Sequence, residues 1–84
     1  MAAKGSPKQV NIRIAKKVIS GLGDQFSTRD VSEDQRMLDA HPSLRLHSHY
    51  HAFVGTALSV NRGTLGINNE EGRSGARGAV WVKV

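Results

Sequence analysis

Cysteine is absent from this chain. That excludes a disulfide framework and any thiolate metal site, and it predicts an intracellular protein. Acidic residues are scarce: 7 Asp+Glu stand against 12 Lys+Arg, for a net charge of +5. Aromatic residues are limited to one Trp, one Tyr and two Phe, too few to fill a core and also form a stacking surface. No apolar run approaches the ~18 residues of a membrane span, and the segment Met1 to Pro7 lacks a signal peptide's apolar centre, so no membrane partner is expected. At 84 residues there is room for one small domain, burying only about 60–65% of its unfolded surface. The 23% of charged residues is still compatible with folding. A pI near 10.3 favours an anionic partner, and nucleic acid is the commonest one for a small basic domain.

The charge is unevenly placed. Residues 1–22 hold Lys4, Lys8, Arg13, Lys16 and Lys17 and no acid. Residues 23–40 hold Asp24, Asp30, Glu33, Asp34 and Asp39 against Arg29 and Arg36. From His41 onward the balance is basic again, through Arg45, Arg62, Arg73, Arg77 and Lys83. Two readings fit: an ordinary mixed surface, or a bipolar domain that turns its basic ends towards an anion.

Residues 1–6 are expected to be a flexible arm and residues 7–84 the domain. Ser6-Pro7-Lys8-Gln9 has the form of a capping box with Pro at the first helical position. Val10, Ile14, Val18 and Leu22 follow at spacing four, widened by Ala15 and Ile19, and Gly21 and Gly23 supply a stop. Val10, Ile12 and Ile14 also alternate like a strand, which leaves the first turn open. Ser27 and Asp30 form a second capping box, for a helix running to about Asp39 and ended by His41-Pro42. A third helix, from a Ser48 cap to about Asn61 with Ser43 as a competing start, has the clearest stripe: Tyr50, Phe53, Val54, Ala57 and Leu58. Leu65-Gly66-Ile67 and Ala79 to Val84 are β-rich, and the polar, glycine-rich stretch Asn68 to Gly78 separates them.

Three helices followed by a hairpin with a basic glycine-rich tip resemble the winged helix-turn-helix family. The resemblance covers residues 7–84 and rests on Phe26 to Val31 as the opening of the second helix, Val54 to Leu58 as the middle of the recognition helix, and Leu65 to Val84 as the wing. One departure is the stretch Ala40 to His47, longer than the 3–4-residue turn usual between the paired helices. The implied fold is α+β: three helices and a C-terminal two-stranded wing. The implied function is double-stranded DNA binding by a small transcriptional regulator or nucleoid-associated cytoplasmic factor.

On that reading the third helix enters the major groove with the face opposite its stripe: Ser48, His49, His51, Ala52, Gly55, Thr56 and Ser59. Its small uncharged groups permit close approach, but no Arg, Asn or Gln sits mid-face for bidentate base reading. Arg62, Lys16 and Lys17 are candidate DNA contacts, and Lys8, Arg13, Arg45 and Lys83 are further candidates for phosphate. Arg73 and Arg77, among Gly72, Gly75 and Gly78, suit a narrow A·T-rich minor groove; the competing reading is a plain hairpin tip.

Other chemistry finds less support. His41, His47, His49 and His51 have no neighbouring carboxylate or Cys and no His-Glu-x-x-His pattern, so neither metal nor cofactor is expected. Histidines beside phosphate would instead strengthen binding on protonation below about pH 6.5. Gly72-Arg73-Ser74-Gly75 matches a KH-type loop literally but precedes a strand, where that loop joins two helices. No nucleophile elbow, triad order or carboxylate pair is legible, which predicts a non-enzyme. The rivals are a protein-interaction module, with a homodimer among its forms, and an RNA-binding or ribosome-associated module.

Overall fold

A computed structural model of the protein describes residues 6–69 and 80–84. Residues 1–5 of the expected arm, and the connection bearing Arg73 and Arg77, lie outside the described residues. Both capping boxes form. The Lys8 N–H donates to Ser6 Oγ (3.2 Å) and the Ser6 N–H to Gln9 Oε1 (3.0 Å). The Asp30 N–H donates to Ser27 Oγ (3.1 Å) and the Ser27 N–H to Asp30 Oδ2 (2.8 Å).

Each of the first two predicted helices nevertheless divides in two. The Ser6 box starts only a 3-10 turn, Pro7–Gln9. Val10 then turns extended and buries its side chain, and Asn11 caps a separate helix, α1 (Ile12–Ser20), by accepting from the Ile14 N–H. The second helix breaks because Asp34 caps for itself, its carboxylate accepting from the Arg36 N–H at 2.9 Å. The result is α2 (Thr28–Ser32) and α3 (Gln35–Ala40). A second 3-10 turn, Leu44–Leu46, precedes α4 (Tyr50–Val60). Ser48 does not cap α4: His49 occupies the cap position, with no side-chain bond. Leu65, expected in a strand, ends a short α5 (Arg62–Leu65). Gly66 follows at φ 69, the left-handed region that glycine adopts without penalty.

The sheet has three strands where two were expected. Gln25–Ser27 (β1), Ile67–Asn69 (β2) and Val80–Lys83 (β3) pair antiparallel in the order β1-β3-β2. Phe26 therefore lies opposite Trp81 in a strand that leads into α2. The architecture is a small α+β domain, helices followed by antiparallel strands.

Trp81, on the central strand, is 0% exposed, and its Nε1–H donates to Thr28 Oγ1 at 2.8 Å, also in the core. His41 is buried too, joining the end of α3 to the start of α1. Its Nε2 accepts from the Asn11 N–H (2.8 Å), so its proton sits on Nδ1 and is donated to the Met37 carbonyl (2.7 Å). The Lys83 ammonium donates to the Leu22 carbonyl at 2.6 Å. The sequence suggested His41 as a phosphate neighbour and Lys83 as a phosphate contact; His41 is instead buried between α1 and α3, and one donor of Lys83 is taken by the Leu22 carbonyl.

Tyr50 packs within the core and its hydroxyl has no partner among the described residues. Burial pushes the phenol above its ordinary value of 10.0, and the Arg45 guanidinium pulls it partly back. The folded state thus favours the neutral phenol. Its contribution to stability is whole below the unfolded pKa and is lost as pH rises through the higher folded one. Ultraviolet titration of this single tyrosine should show phenolate forming at higher pH in the folded chain than in urea, with stability falling over the same alkaline range. Coincident titrations would mean that the phenol is solvated.

Candidate nucleic-acid interface

The helix stripe of α4 is close to the one read from the sequence. Tyr50, Val54, Ala57 and Leu58 are buried against the rest of the domain, and α4 rests on α2 and on the Pro7–Gln9 turn. Phe53 is only partly buried, at the edge of the stripe. The His47 and His49 rings lie over it, with centroids 4.9 and 6.3 Å away. Gly55, expected on the outward face, is buried.

The outward face of α4 keeps part of the predicted set. Thr56 is exposed, and Ala52 and Ser59 are partly exposed at i−4 and i+3 from it, so the three share one side of the helix. Ser48 and His49 are exposed at its entry. His51 departs from this arrangement. It is half-buried in the seam with α2, where its Nδ1 shares a hydrogen bond with the Ser32 hydroxyl. Val54 and Leu58, at i+3 and i+7 from it, are buried, and that spacing puts His51 towards the packed side. Arg62 is exposed at the helix exit, but its guanidinium folds back to donate to the Ser59 carbonyl at 2.9 Å.

The cationic residues are grouped on a different helix. Arg13, Lys16, Lys17 and Ser20 recur at i, i+3, i+4 and i+7 and form the exposed side of α1, opposite buried Ala15, Val18 and Ile19. No acid lies on α1. The ion pairs found among the described residues, Arg29–Glu33 at 3.3 Å and Arg36–Asp34 at 3.4 Å, belong to α2, α3 and the junction between them. The cations of α1 therefore face solvent without a counter-charge among the described residues. Arg13 belongs with Lys16 and Lys17, a grouping legible in the sequence as a helix face free of acid.

An open cleft of about 380 Å³ lies beside this face, between α1 and the sheet. Lys16, Ile19 and Ser20 line one side, and Leu65, Gly66, Lys83 and Val84 the other. No sequence signal pointed to it, because its walls come from segments far apart in the chain. His47, His49 and His51 do not assemble a metal site, and no group of three His, Cys, Asp or Glu that could hold a metal ion occurs among the described residues. No helix among them is long and apolar enough to cross a membrane.

Comparison with protein-family models, curated proteins and solved structures gives no match to this chain.

Proposed function

We propose that this chain is a double-stranded DNA-binding module of winged-helix type, acting as a regulator or nucleoid-associated factor rather than as an enzyme. The observation that supports the reading most is the strand order β1-β3-β2, with β1 between α1 and α2 and with β2 and β3 after the last helix. On this reading α4 is the recognition helix, and the antiparallel pair β2–β3, which follows it after the short α5, is the wing. In this proposal Ala52, Thr56 and Ser59 meet the major groove, while Arg73 and Arg77, in the segment joining β2 to β3, meet the minor groove.

The arginines supply the test. A guanidinium in a narrow minor groove responds to the negative potential that A-tracts concentrate. Arg73→Ala with Arg77→Ala should weaken binding to an A·T-rich duplex more than to a G·C-rich one, with melting temperature unchanged. Equal losses on the two duplexes would make these arginines plain phosphate contacts. No loss on either would remove the wing from the proposal.

A protein-docking role is the second reading, and two exposed apolar side chains favour it. Leu46, ahead of α4, is 80% exposed and Val60, on its last turn, is 76% exposed. A surface used only to meet phosphate has no need of either.

A further inference from the structure

We propose that the cleft between α1 and the sheet seats a phosphodiester of the bound duplex, so that α1 forms the principal anchor on the DNA backbone. The proposal rests on the DNA-binding reading above and identifies the surface on which the strand would lie.

Charge is the first argument. Lys16 and Lys83 line opposite sides of the cleft, and no acidic side chain lines it. Neither lysine forms an ion pair among the described residues. The Lys83 ammonium is held in place by its bond to the Leu22 carbonyl, which uses one of its three N–H donors and leaves two to offer. A tethered cation loses less side-chain freedom on binding than a free one. Ser20 contributes no donor, because its hydroxyl proton goes to the Lys17 carbonyl at 2.7 Å. Lys16 and Lys83 are therefore the cationic residues of the cleft, the first unpaired and the second already holding the Leu22 carbonyl.

Shape and extent are the second. The buried side chains Ile19 and Leu65 give the cleft an apolar floor, which suits the carbon face of a deoxyribose next to the phosphate. The cleft does not stand alone: Arg13 and Lys17 flank Lys16 on the exposed side of α1. The nine residues of α1 span about 13 Å at ~1.5 Å per residue, enough to lie along about two consecutive phosphates of one strand, whose path winds around the duplex axis. Among the elements compared, the outward side of α4 has no cation between His49 and Arg62.

The decisive experiment titrates a labelled duplex by fluorescence anisotropy over a range of salt, using the whole chain. Lys16→Ala removes one exposed cation, and Arg29→Ala removes one that is paired with Glu33 on α2. One lost phosphate contact should make the log–log salt slope shallower by about 0.9 and weaken binding about eightfold at 0.1 M salt. Lys16→Ala should show both changes and Lys16→Glu a larger loss, while Arg29→Ala stays near the parent. On adding duplex, amide resonances of Lys16, Ser20 and Gly66 should shift in the parent. Parent-like slope and affinity in Lys16→Ala, or the same loss in Arg29→Ala, would overturn the cleft assignment and leave the DNA reading in place. A parent chain that binds no duplex at low salt would overturn both.

Discussion

Trp81→Ala should leave the domain unfolded or nearly so at 25 °C. Removing a buried Trp side chain costs about 3–5 kcal/mol, from lost transfer energy and from the cavity left behind. Thr28 Oγ1, 0% exposed as a residue, would then lose the indole donor that now lies 2.8 Å away, at a further cost of about 1–3 kcal/mol. A domain of this length is expected to have roughly 4–13 kcal/mol in total, at about 0.05–0.15 kcal/mol per residue. The substitution therefore removes most of the margin. Trp81→Phe separates the two contributions, since it keeps much of the packing and loses the indole N–H. It should cost only about 1–3 kcal/mol. Urea unfolding followed by circular dichroism measures both variants, and an alanine variant as stable as the parent would place the centre of the core elsewhere.

Binding to duplex DNA should collapse with salt. Lys8, Arg13, Lys16 and Lys17 are exposed, without an ion pair among the described residues, and Arg73 and Arg77 add to them in sequence. Four to six phosphate contacts, an estimate from these cations, give a log–log slope of about −4 to −5. A fourfold rise in salt, from about 50 to about 200 mM, then weakens binding roughly 250- to 1,000-fold. Anisotropy titrations at four salt concentrations are enough to define the line. A slope near zero would remove the electrostatic basis of the proposal and favour docking on a protein through Leu46 and Val60.

What was legible in the sequence was local. Ser6 with Gln9 and Ser27 with Asp30 announce helix starts because a capping box needs only four consecutive residues. The α4 stripe was legible because its period repeats over three turns. The break at Asp34 was not legible, and the one at Val10 only as an open first turn, because each residue has two plausible roles. Val10 fits the helix period but is buried in an extended conformation, and Asp34 reads as a surface acid but caps α3. β1 is three residues long, too short to display an alternation, and its partner is β3, more than fifty residues away. The tasks of His41 and Lys83 are set by partners 30 and 61 residues distant. A side chain's availability for a site depends on such contacts, which is why the lysines of α1 keep mobile ammonium groups while Lys83 has one donor already committed.

The position of β3 at the centre of the sheet also fixes the order in which the protein can assemble. Both strand pairings run through Val80–Lys83, so β1 and β2 have no hydrogen-bonded neighbour until that segment arrives. The helices close over short stretches of chain, whereas the β1–β3 pairing must close a loop of more than fifty residues before any burial of Trp81 compensates the lost freedom. Because closure entropy grows only with the logarithm of loop length, each residue inserted into the short 70–79 connection should slow folding more than one inserted into the long chain already separating β1 from β3.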